Sequence, residues 1–197
     1  TVKAIAVSAI ALCDHLNIEK AHFMGNSMGG SIVQAIAHQY PDRVYKAIVC
    51  CSFSSSSRFA YLQAAYARAD LFKSDASDEA MVRWAFAGIF SGDFIKAHVN
   101  ELLPLFLNNP YPQNEEAFRS QLNALENFES DEWLPEIKVP CLFVAGDEDA
   151  LCFPKHIKAM VNKVPDAQYL EIEGVGHLPH IENPELFIGE ILDFVQG

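Results

Sequence analysis

Positive charge is scarce in this chain. Fourteen Lys and Arg stand against 26 Asp and Glu among 197 residues, a formal net charge of −12. So acidic a surface lacks the basic footprint that grips phosphate backbones, and it is repelled by anionic headgroups. Neither nucleic acid nor a membrane is therefore an expected partner. No run of 18 apolar residues occurs, which excludes a spanning helix by length. Cysteines are few and odd in number: Cys13, Cys50, Cys51, Cys141 and Cys152, with no C-x-x-C pair. They read as free thiols of a reducing, cytoplasmic compartment rather than as a disulfide framework. Also missing are an H-E-x-x-H helix, zinc-type Cys/His spacing, a P-loop and a G-x-G-x-x-G turn, so no metal or nucleotide cofactor is expected. The nearest approach to a metal set, His177, His180 and Glu182, has none of the usual ligand spacings.

What the chain does have is apolar material. Half of its residues are hydrophobic and a fifth are charged, enough to build a packed core. At the start, Val2, Ile5, Ala9, Leu12 and Leu16 step by three and four, the period of one helix face, which favours a helix over 1–16 rather than a signal peptide. Short apolar runs at 21–24, 44–51, 140–146 and 168–172 read as strands. Helical patterns at 29–39, 154–164 and 184–195 alternate with them. Between the second and third strands, after five serines within 52–57, only helical segments are predicted: 58–70, 78–90, 93–107 (broken or kinked at Pro104) and 114–128. Strands alternating with helices imply a parallel sheet covered on both faces, an α/β class, with an all-helical insertion. The expected organisation is a core in two parts, 1–53 and 133–197, around a helical segment at 54–132.

The strongest chemical signal is Gly25-Asn26-Ser27-Met28-Gly29, a G-x-S-x-G sequence between a predicted strand and a predicted helix. Glycines two positions to either side let strand and helix approach closely around a sharp turn that projects the serine. The helix start behind it offers unpaired backbone N–H groups to a developing oxyanion. A hydroxyl is a weak nucleophile and needs a base with an orienting acid. Asp147, Glu148 and Asp149 follow the third strand and His177 follows the fourth, so serine, acid and histidine lie at successive ends of one parallel sheet.

In combination these segments resemble the α/β-hydrolase fold superfamily: FMGNSMGG its nucleophile elbow, LFVAGDEDALCFP its acid loop and GVGHLPHIENPELF its histidine loop. The resemblance implies Ser27 as nucleophile, Asp149 rather than Asp147 as acid, His177 rather than His180 as base, and the Met28 N–H as an oxyanion donor. It implies that 54–132 is a cap over the pocket and that a small-molecule substrate, an ester, lactone or activated ketone, is hydrolysed through an acyl-enzyme. The cap sequence is rich in aromatics, of which a minority are expected to line an apolar pocket. A base must be neutral to act, so activity is expected to fall on acidification. The family places several strands before the elbow, one followed by a loop that gives a second oxyanion donor; nothing in 1–20 can play that part. On that reading the sheet is N-terminally incomplete and its elbow strand is an open edge, to be met by a complementing N-terminal segment or by a second copy in a homo-oligomer. A non-catalytic hydrolase-like binding protein and an acyltransferase remain as alternatives.

Overall fold

Four apolar runs, each bounded by a turn residue or a proline, form one parallel sheet in a computed structural model that describes residues 1–197. The strands β1 (Ala21–Asn26), β2 (Val44–Cys50), β3 (Cys141–Gly146) and β4 (Ala167–Ile172) lie side by side in chain order. β2 pairs with β3 from Ala47↔Cys141 to Cys50↔Val144, and β3 with β4 from Cys141↔Ala167 to Gly146↔Ile172. Every residue of β3 is buried, as a strand covered on both faces must be. Its alternate side chains serve two cores: Cys141, Phe143 and Ala145 join the larger cluster, Leu142 and Val144 the smaller.

Helices supply both covers. α1 (Val2–His15), α2 (Met28–Gln39) and α7 (Pro154–Val161) pack on the side of the larger cluster, to which Val2, Ile36 and Ile157 belong. Against the other face stands α9 (Pro184–Gln196), through Phe187, after the one-turn helix α8 (Pro179–Glu182). The α/β arrangement, a parallel sheet flanked by helices, is the one the sequence implies. α1 departs from its expected orientation. Val2, Ala6 and Ile10, spaced by four, face inward, while Ile5, Leu12 and Leu16 are exposed. The sequence VKAIAVSAIALC is apolar around most of the helix, so periodicity alone could not choose the face. No helix is long and apolar enough to cross a membrane.

Between β2 and β3 lie α3 (Phe59–Leu71), α4 (Asp78–Ile89), α5 (Gly92–Leu107) and α6 (Glu115–Glu126). Ser77, Ser91 and Asn114 cap the last three, each accepting from a backbone N–H in the first turn. α5 is not broken at Pro104. Proline deletes one i→i−4 bond, and α5 is held through this stretch by Phe106, whose ring meets Phe86 of α4 edge-on at 5.0 Å.

The two chain crossings that enter and leave these helices are fastened together. Ser55 Oγ and Ser56 N–H donate to Asp131, which also pairs with Lys163. Partial burial alone would raise the Asp131 carboxyl, but the Lys163 ammonium and the serine donors override it and hold the group well below the ordinary carboxylate range. A depressed folded-state value stabilises the fold above the unfolded one and is lost as pH falls through the folded one. Asp131→Asn is therefore expected to destabilise by about 1–2 kcal/mol at neutral pH. The gap from the parent, read from urea midpoints, should narrow progressively as pH falls below ~3.8, the ordinary aspartate value. A gap unchanged down to pH ~2 would contradict this account.

Candidate active site

Ser27 occupies the tight turn from β1 into α2 and has a left-handed backbone, φ 55° and ψ −121°. Few non-glycine residues tolerate this region, and those that do gather at functional sites. The turn is closed by Gly25: a Cβ there would stand 2.2 Å from the Gly29 carbonyl oxygen. Ser27 precedes the first residue of α2, where serine ordinarily caps, yet its side chain makes no capping bond. Instead Ser52 Oγ donates to the Ser27 carbonyl at 2.8 Å, and the Ser27 hydroxyl stays clear of the helix end. Met28 opens α2, so its N–H has no intrahelical partner, and none is found for it among the turns and loops.

At the end of β3, Asp149 is buried and fully engaged. Its Oδ1 accepts from the N–H groups of Leu151 and Cys152, both at 2.8 Å, and its Oδ2 lies 2.9 Å from His177 Nδ1. His177 is likewise buried, 3 % exposed. With Nδ1 held by the carboxylate, Nε2 is the nitrogen left free to exchange a proton. The structure thus pairs Asp149, not Asp147, with His177, while His180 is exposed beside Phe187. No hydrogen bond joins Ser27 Oγ to His177. The two loops meet through Asn26, whose side-chain amide donates to the His177 carbonyl at 3.2 Å. Nucleophile–base bonds are often long before a substrate is bound.

The neighbouring acids turn out to be fasteners. Asp147 Oδ1 accepts from Gly174 N–H at 2.7 Å, tying the acid loop to the histidine loop. Glu148 accepts from Gly92 N–H, and Glu182 from Gly176 N–H (2.8 Å) and Ser91 N–H (2.9 Å). With His177 N–H donating to the Ile89 carbonyl at 3.0 Å, the α4–α5 corner is bolted to both loops. Periodicity carries no trace of these long-range contacts.

Cys51 is the third group at the acid–imidazole pair: its Sγ and the ligand atoms of Asp149 and His177 all lie within 4.8 Å of one another. Burial, then the Asp149 charge, pushes the Cys51 thiol far above its ordinary value.

Over these loops opens a cavity of about 320 Å³. Its walls come from α3, α4 and α6, and its floor includes Ala150 and Leu151, next to Asp149. Of the many aromatics between β2 and β3, Tyr61, Trp84 and Phe118 line it. Phe86 and Phe90 are buried in packing and Phe59 is exposed. Tyr61 rests on Phe53 with ring centroids 4.9 Å apart. Burial pushes its phenol up, and the side chain of Ser27, beside its hydroxyl, pulls it partly back. Tyr61 thus connects the cavity to Ser27, a link that its place in an aromatic-rich helix gave no means to single out.

The chain is similar to known proteins. The sequence profile described as alpha/beta hydrolase fold matches residues 2–184. Pyrrolizixenacetamide deacetylase of Xenorhabdus hominickii is 29% identical over 188 residues, covering 95% of this chain and 70% of its own. 3-Oxoadipate enol-lactonase 2 of Acinetobacter baylyi is 27% identical over 199 residues, covering 94% of this chain and 67% of its own. The crystal structure of the enol-lactonase from Burkholderia xenovorans LB400 superposes with a TM-score of 0.88 at 23% identity, over 100% of this chain and 74% of that one. Sheet order, the strained turn at Ser27 and a profile that spans nearly all of the sequence agree, and the chain belongs to the α/β hydrolase fold family.

Proposed function

We propose that this chain is a serine hydrolase acting on a small, mostly apolar ester, lactone or activated ketone through an acyl-enzyme on Ser27. The observation that carries the reading is the buried Asp149–His177 pair, 2.9 Å apart, on a loop joined to the turn that projects Ser27. The relatives named as a deacetylase and an enol-lactonase support acyl transfer to water.

The residues would act as follows. Ser27 Oγ attacks the carbonyl carbon and gives its proton to His177 Nε2. Asp149 fixes the imidazole tautomer and stabilises the imidazolium. The Met28 N–H, at the positive end of α2, donates to the oxyanion. His177 then protonates the leaving group as its bond to the acyl carbon breaks. Finally a water, deprotonated by His177, attacks the acyl carbon and releases Ser27. Residues 54–132 serve as the cap that encloses the substrate, between core parts 1–53 and 133–197. β1 pairs on one side only, with β2, and a complementing segment or a second copy is proposed to cover its free edge.

Intact mass after exposure to a fluorophosphonate tests the reading. A single adduct, lost in Ser27→Ala, is the expected result. A folded chain that takes no adduct would sink it and favour a binding protein, for which the missing Ser27–His177 hydrogen bond speaks. Acyl transfer to an added alcohol in preference to water would mark an acyltransferase.

A further inference from the structure

The cavity that Tyr61 links to Ser27 has one feature its apolar walls do not explain: Arg68 lines it. The chain has five arginines, and Arg43, Arg58, Arg83 and Arg119 each pair with a carboxylate. Arg68 forms neither an ion pair nor a side-chain hydrogen bond; its guanidinium lies 5.1 Å from the Phe118 ring centroid. A guanidinium carries five donors and keeps its proton at any ordinary pH. Drawing it partly out of water with no donor matched costs free energy that an arriving anion would return. Acidic residues outnumber basic ones nearly two to one in this chain, 26 to 14, yet no carboxylate lines this cavity.

Helix geometry gives the cation a definite place relative to Ser27. Tyr61 and Arg68 are seven residues apart on α3, close to two full turns, so they share a face about 10 Å apart along the axis. Tyr61 lies at the Ser27 end. Ala64 and Ala65 line the stretch between, with side chains too small to fill it, and Trp84 lines the cavity from α4. The result is a trough with the Ser27 hydroxyl toward one end and, at the other, a guanidinium with no anionic partner.

We infer that this trough takes a carboxylate-bearing ester or lactone of medium length, with its acyl carbon at Ser27 and its carboxylate on Arg68. Arg68 is then a specificity residue that selects anionic over neutral substrates. The hydrolase reading is needed only for what happens at the Ser27 end; anion recognition at the Arg68 end is independent of turnover.

That independence sets the experiment. Trp84 lines the cavity, so its fluorescence reports occupancy in the full chain without any reaction; Trp133, stacked on His38, is not part of the wall. Monomethyl suberate and dimethyl suberate differ by one charge. The monoanion should bind the parent chain about tenfold tighter or more. Arg68→Gln should abolish that preference, and Arg68→Lys should keep part of it, because an ammonium retains the charge but not the fork. Equal affinity for the two esters, a preference that survives in Arg68→Gln, or no binding of either would each overturn the inference. Fluorophosphonate labelling of the same samples separates the two claims. An adduct without anion preference removes the Arg68 role and leaves the hydrolase, whereas anion preference without an adduct does the reverse.

Discussion

Asp149→Asn should cut turnover of an activated ester by about four orders of magnitude and leave the fold in place. An asparagine that keeps its amide oxygen where Oδ1 stands still accepts from Leu151 and Cys152. Its NH₂ then faces His177 Nδ1 and donates where the carboxylate had accepted. The imidazole must present a lone pair at Nδ1 and carry its proton on Nε2, the tautomer that cannot take a proton from Ser27. Steady-state kinetics on a p-nitrophenyl ester, beside urea unfolding of the same variant, reads both halves. A loss of less than tenfold would mean that His177 is not the base held by Asp149. Because the change conserves shape, a large loss cannot be blamed on a collapsed loop if the unfolding midpoint is kept.

The second large effect concerns stability. Gly146 ends β3, and a Cβ added there would stand 2.1 Å from the Gly176 carbonyl oxygen and 2.4 Å from that of Val175. Both are backbone atoms of the histidine loop, and that loop is itself tied down by Asp147 and Glu182. Neither side can yield, so Gly146→Ala should cost about 3 kcal/mol or more and should displace His177 from Asp149, with loss of fluorophosphonate labelling. Gly189, within α9, is the control. Nothing lies within 4 Å of the point its methyl would occupy, and alanine there should stabilise by roughly 0.5–1 kcal/mol. Urea midpoints that move together in the two variants would refute the steric account.

Much of the fold is legible in the sequence because it follows from local pattern. Each of the four strands begins within one residue of its expected position, since each is an apolar run with a turn residue or proline beside it. The turn at Ser27 is legible for the same reason, two glycines at fixed spacing. What the sequence hides depends on partners far along the chain. The inward face of α1 is missed because a helix apolar on most sides carries no preferred direction. Glu148 and Glu182 look like any solvated acids in sequence, and only folding brings Gly92, Gly176 and Ser91 to them. Arg68 is the extreme case. Its importance lies in the lack of a partner, and no local pattern records that.

The bolted corner between α4 and α5 also bears on how such a site could change. His177 donates its backbone N–H to Ile89, and Glu182 holds Ser91, so the helices over the cavity and the loop with the imidazole move as one piece at this seam. Moving the α4–α5 corner would draw the His177 backbone with it and strain the His177–Asp149 contact. The α3 wall carries no such tie at this seam, and Ala64 and Ala65 line the cavity there. Exchange of these small residues for larger ones would reshape the cavity without touching that seam. Helices grafted in place of these would need to reproduce the carbonyl of residue 89 and the amide of residue 91 to keep the histidine loop tied as it is here.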